Sequence, residues 1–234
     1  KVKKKILIAV GIILIAIVVI IATVVISDFK QEENLKNELE EISKLVNFEN
    51  INMDEINEKL DRTVTKGNYE IIEKAGKQYL SDSFQNSIEI AEILNDEKIT
   101  KLLSAENYKT DGPEFTETQE YITETKNKLE SCKTKYKDYL TEEKIMSYVA
   151  DKNLDSYYID FYKNEIIGDL EEERKDNTVE TSINELVNYL EKTEEIIKFL
   201  KENKDFWVIQ NDNIVFSKDV FENKYNELIS NLYE

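Results

Sequence analysis

Residues 6–26 read ILIAVGIILIAIVVIIATVVI, twenty-one consecutive residues with no charge and no strongly polar group. At about 1.5 Å per residue, a helix of that length spans roughly 31 Å, close to the thickness of a bilayer's hydrocarbon layer. A helix satisfies its own backbone hydrogen bonds, so lipid accommodates it. Water penalises the same surface heavily. The run therefore predicts a transmembrane helix, and the rest of the chain must fold outside the lipid.

The flanks set the orientation. Lys1, Lys3, Lys4 and Lys5 precede the span, and Asp28, Glu32 and Glu33 lie beyond it. Basic flanks stay on the cytoplasmic side. Residues 1–27 thus read as a cytoplasmic basic flank plus anchor, and residues 28–234 as an extracytoplasmic domain. A cleaved signal peptide has a shorter apolar region, of about 7–15 residues. No cysteine lies near the end of the span, which excludes lipoprotein processing. Because the chain opens on Lys1 rather than Met, a few residues are expected upstream.

Residues 28–234 hold all 49 acidic residues against 27 lysines and arginines, a net charge of −22. Phosphates repel such a surface, so nucleic acid is not an expected partner. The expected partners are the membrane, through the single anchor, and a protein. The whole chain has five glycines and one proline, and this scarcity of helix breakers favours long helices. Lysine, asparagine, isoleucine and glutamate abound while arginine is rare, a composition that suggests an AT-rich bacterial genome. Cys132 is the only cysteine, so no internal disulfide forms and packing must hold the fold. It reads as a buried small residue.

Helical periodicity dominates the rest. Leu35, Leu39, Ile42 and Val46 recur at helical spacing, and this stretch is expected to extend the anchor outward as a stalk. Asn52 with Glu55 predicts a short capped helix. A long helix begins at Gly67 or Asn68 and buries Ile71, Ile72, Ala75, Tyr79, Ile88, Ile90, Ala91 and Leu94. Asp96 caps a shorter one. The turn residues of 109–115 (KTDGPEF) make the best loop and the place to divide the domain, if it divides. Thr116 with Gln119 predicts a capping box for a helix to about Leu140. Thr141 caps the next, around Ile145, Met146 and Val149. Another carries Leu154, Tyr158, Phe161 and Ile166, and a long one runs from about Val179 to Lys201.

Residues 206–216 break the pattern: two β-favouring runs flank Asn211, Asp212 and Asn213, which predicts a small hairpin. Ser217 is expected to cap a last helix carrying Val220, Phe221, Tyr225 and Leu228. The fold class is all-α, with an N-terminal transmembrane helix, an extracytoplasmic multi-helix domain and one β-hairpin near the C-terminus.

The chain contains no histidine, which removes Ser-His-Asp and Cys-His catalysis and most zinc sites. No phosphate-binding loop, dinucleotide glycine pattern, zinc-protease motif or calcium-loop spacing occurs. Carboxylate pairs alone can hydrolyse sugars. Yet Glu171, Glu172 and Glu173, with Arg174 and Lys175 next in the chain, read as a solvated helix end. No catalytic residue, metal site or cofactor is expected.

Aromatic residues are the remaining signal. Tyr157, Tyr158, Phe161 and Tyr162 crowd two turns of one helix. They form either core and core rim or a groove for a peptide or small ligand. Trp207 poses the same choice, between anchoring the hairpin and standing exposed for recognition. The functional expectation is a membrane-anchored, non-enzymatic protein-interaction module at the bacterial cell surface. The alternative is a ligand-binding or sensory domain working through a membrane partner.

Overall fold

The computed structural model describes residues 30–45, 53–167 and 177–232. It is mostly helical, in keeping with the sequence. Ten α-helices occur among the described residues: α1 (Lys30–Leu45), α2 (Met53–Asp61), α3 (Asn68–Leu94), α4 (Glu97–Lys101), α5 (Ala105–Thr110), α6 (Thr116–Tyr139), α7 (Glu142–Ser147), α8 (Ser156–Ile167), α9 (Thr178–Glu202) and α10 (Asp219–Asn231). One antiparallel hairpin, β1 (Trp207–Gln210) and β2 (Asn213–Phe216), lies between α9 and α10. The expected span at residues 6–26 lies outside the described residues, as do Val46, Asn52 and the acidic run 171–173. Among the described residues, no helix is long and apolar enough to cross a membrane.

The chain forms two compact units. The first comprises Lys1–Ala91 and Cys132–Glu180, the second Glu92–Ser131 and Thr181–Glu234. The 109–115 turn falls inside the second unit.

In the first unit, Leu35, Leu39 and Ile42 of α1 are buried, as their spacing predicts. They join Ile56, Ile72, Ala75, Tyr79, Leu80, Phe84, Ile145, Val149 and Tyr162 in one core. Thr141 caps α7 as expected, its Oγ1 accepting the Lys144 amide at 3.1 Å. Cys132 is buried, and burial with the neighbouring Glu89 pushes its thiol up to about 11.

Buried charge also lies in this unit. Lys77 is enclosed on α3, and its Nζ lies 2.8 Å from Glu38 Oε1 and 2.8 Å from Glu73 Oε1. It also donates to the carbonyls of Lys59 at 2.8 Å and Arg62 at 2.9 Å. Glu38 accepts two further bonds from the Arg62 guanidinium. Glu73 accepts the Val64 and Thr65 amides and, at 2.6 Å, the Thr65 hydroxyl. The cluster thus fastens α1, the end of α2 and the 62–66 segment onto α3.

In the second unit, Trp207 anchors the hairpin. Its Nε1 donates to the Leu200 carbonyl at 2.8 Å, and its ring stacks on Phe115 and meets Tyr108 edge-on. Gly112 is packed so closely against the Tyr108 carbonyl and the Trp207 ring that a Cβ would collide. Asn211 and Asp212 adopt the left-handed backbone that a tight hairpin turn requires.

Two expected caps are replaced. The Asp111 carboxylate takes the exposed amides of α6, from Glu117 at 3.1 Å and Thr118 at 2.7 Å, in place of a Thr116–Gln119 box. Ser217 does not cap α10. Its amide and hydroxyl donate to the Phe206 carbonyl, closing the hairpin, and Lys218 precedes the helix without a side-chain cap. Val220 accordingly faces solvent rather than the core. α5, capped by Ser104, is a helix that the sequence pattern does not mark.

Burial pushes the Glu38 and Glu73 carboxyls up, but their hydrogen bonds outweigh it and hold both below the usual carboxylate range. Arg62 and Lys77 supply those bonds to Glu38; Lys77, Thr65 and the Val64 amide supply them to Glu73. Groups with depressed folded values stabilise the fold above the unfolded value of about 4.5, and that contribution is lost as pH falls through the folded values. Denaturation profiles should therefore be flat near neutrality and lose stability progressively below about pH 4.5. Lys77→Met leaves buried Glu73 without its cation, while Glu38 keeps Arg62, and should destabilise the first unit by about 3–5 kcal/mol. Urea unfolding followed by circular dichroism measures both effects.

Candidate functional site

The tyrosine-rich helix α8 meets the first turn of α1 and the start of α3. Glu32, in that first turn, is buried. Its Oε1 accepts two hydroxyls, from Tyr69 at 2.7 Å and Tyr157 at 2.5 Å. Tyr69 is placed by the start of α3, just after Gly67, whose φ of 65° suits the left-handed region. Gln31 Oε1 accepts the Lys66 amide at 3.1 Å, which holds the same segment against α1.

The rings interlock edge to face. Tyr69 meets Tyr158 at 5.2 Å between centroids and Phe161 at 5.7 Å, and Tyr158 meets Tyr157 at 5.3 Å. Such arrangements set the positive edge of one ring against the negative face of another. Tyr157 remains 50% exposed, while Tyr158 and Phe161 are half-buried.

The five aromatic candidates thus divide. Tyr157, Tyr158 and Phe161 share one surface with Tyr69 and Glu32. Tyr162 is fully buried, donates to the Ile145 carbonyl at 3.2 Å and belongs to the core. Trp207 is buried in the other unit as the hairpin's anchor. Sequence reasoning missed Tyr69 and Glu32. A lone tyrosine at a helix start and one glutamate among many carry no local signal; only the fold brings them to α8.

The electrostatics are those of a donor pair on an acceptor. Burial first, and then the Tyr157 and Glu32 hydrogen bonds, push the Tyr69 phenol well above its ordinary value. The Glu32 hydrogen bond does the same for Tyr157. Both phenols therefore hold their protons more tightly than a free tyrosine does.

A second surface is the outer face of the hairpin. Alternation turns Trp207, Ile209, Ile214 and Phe216 inward. Val208 and Val215, directly opposite one another, point outward at 52% and 41% exposure. Val220, at the start of α10, is exposed as well. Beside the turn, Lys109 of α5 pairs with Asp212 at 2.5 Å along a shallow, open depression.

Among the described residues, no group of three or more acidic or cysteine side chains is arranged to hold a metal ion. No protein-family model, curated protein or solved structure matches the chain.

Tyr69→Phe removes one of the two hydroxyls donated to buried Glu32. Hydrogen bonds to charged groups contribute about 1.5–3 kcal/mol, and a loss of that order is expected from the denaturation midpoint. Tyr157→Phe, at a half-exposed ring where water can replace the donor, should have the smaller effect.

Proposed function

We propose that this chain is a membrane-anchored, extracytoplasmic protein of the bacterial surface that acts by binding a protein partner rather than by catalysis. The uncharged run 6–26, with lysines before it and carboxylates after it, supports the anchor and its orientation. The lack of histidine supports a role without acid–base or nucleophilic chemistry.

The observation that carries the partner reading is the outward valine pair. Val208 and Val215 form an apolar patch on a hairpin whose other outward pair, Gln210 and Asn213, is polar. Asp212 in the turn and Lys218, two residues beyond Phe216, put charge at either end of the hairpin. An apolar centre with a polar rim is the usual composition of a protein-binding surface. Covering each valine, already about half buried, contributes on the order of 1 kcal/mol.

A ligand pocket among the tyrosines has weaker support, because the Tyr69 and Tyr157 hydroxyls are both committed to Glu32.

The test is photo-crosslinking of the full chain in its native membrane, with the crosslinker at position 218. Val208→Thr with Val215→Thr keeps both side chains β-branched, and so keeps the hairpin, while removing apolar surface. A specific adduct that disappears in this double variant is the expected result. An adduct that persists undiminished, or none in the parent, counts against the reading. Unchanged Trp207 fluorescence verifies that the hairpin is intact.

A further inference from the structure

We infer that the tyrosine cluster around Glu32 is a lipid-contacting foot: Tyr157, with Tyr158 and Phe161 beside it, lies in the headgroup layer of the membrane that holds the anchor. This rests on the anchor reading above.

Chain length bounds where the cluster can lie. Six residues carry the chain from Ile26, the last of the apolar run, to Glu32. Those six reach at most about 20 Å when fully extended and about 9 Å when helical. The headgroup layer adds roughly 5–8 Å beyond the hydrocarbon on each side. A helical path leaves Glu32 within a few ångströms of the headgroup layer, and no path takes it more than about 20 Å from the hydrocarbon. Tyr157, whose hydroxyl lies 2.5 Å from the Glu32 carboxylate, is kept there with it. The far end of α1 is not bounded in this way: Lys44 is twelve residues and about 18 Å further along the helix.

The chemistry of the cluster suits that location. Tyrosine is enriched at membrane–water boundaries because its ring is apolar and its tip polar. In Tyr157 the hydroxyl is held by a buried carboxylate and half of the residue is open. The ring is therefore oriented in advance and loses little freedom when lipid covers it. Tyr158 and Phe161 widen the apolar area. Lys30 and Lys66 are exposed at the same end, the latter placed there by its amide bond to Gln31. Their ammonium groups can meet lipid phosphates, but exposed Glu33, Asp155 and Asp160 flank the same cluster, so the contact rests on the rings rather than on charge. The contact is a small foot beside the anchor, not a domain lying flat.

The test uses the full chain in phosphatidylcholine vesicles whose lipid is brominated high on its acyl chains, where bromine quenches nearby indole. Three single variants each add a tryptophan: Tyr157→Trp, Lys66→Trp and Lys44→Trp. The parent, with Trp207 alone, supplies the baseline. The expected result is that bromination lowers the added emission of Y157W and K66W about twofold or more and leaves that of K44W unchanged. K66W probes the same end without altering the cluster, so it decides the matter if Y157W misfolds. Y157W and K66W emission as insensitive as that of K44W overturns the inference, and so does equal quenching of all three. Flotation separates the two readings. A chain that does not float with the vesicles refutes the anchor and the foot together; a floating chain with unquenched Y157W and K66W refutes the foot alone.

Discussion

The first unit depends on the ammonium of Lys77. It is removed from water, and a buried cation is tolerated only where acceptors replace its hydration. Here two carboxylates and two backbone carbonyls do so, all at 2.8–2.9 Å. These acceptors come from α1, from α3 itself and from the segment that ends α2. The single charge therefore fixes the position of α1 against α3 more specifically than its leucines can. Apolar contacts tolerate sliding, whereas a salt bridge within hydrogen-bonding distance does not. Glu73 extends the constraint by gripping the Val64 and Thr65 amides. The path from there to Tyr69 is short, and the register of α1 delivers Glu32 to the same place. The tyrosine cluster is a downstream consequence of this polar clamp.

That clamp explains where sequence reading succeeds and where it stops. Apolar periodicity reports burial faithfully when a helix has one wet face. The spacing of Leu35, Leu39 and Ile42 is an example. It fails on the middle of α3, where Ile72, Glu73, Ala75, Lys77, Tyr79 and Leu80 are all buried. A helix enclosed on several sides keeps only a narrow polar stripe, here Lys74, Gln78 and Gln85, and other charged letters in it also read as solvent-exposed. The partners that neutralise Lys77 from outside α3 lie 15 to 39 positions away. No window of sequence can pair them.

The caps show the same limit on a smaller scale. Local capping rules correctly mark Asp96 and Thr141, where the capping oxygen and the amide it serves are two or three residues apart. They miss the start of α6, because Asp111 reaches across the Gly112–Pro113 turn to amides six and seven residues on. The aromatic candidates divide for a related reason. Composition reveals that α8 is rich in rings, but only packing decides which ring enters the core. Tyr162 does so because its hydroxyl finds the Ile145 carbonyl. Tyr157, five positions earlier, finds Glu32 and stays half open.

The directions of the resolved proton equilibria bear on what kind of protein this is. Catalytic groups are tuned toward neutrality, so that a carboxyl, thiol or phenol can exchange a proton at working pH. Here the shifts run the opposite way. Glu38, Glu73 and Asp111 are pushed further into ionisation by the amides, hydroxyls and cations that surround them. Cys132, Tyr69 and Tyr157 are pushed further into protonation by burial or by a neighbouring carboxylate. Each group is held more firmly in the state it already has at neutral pH. The hairpin valines and the ring of Tyr157 are exposed apolar groups, each held in place by bonds within its own unit.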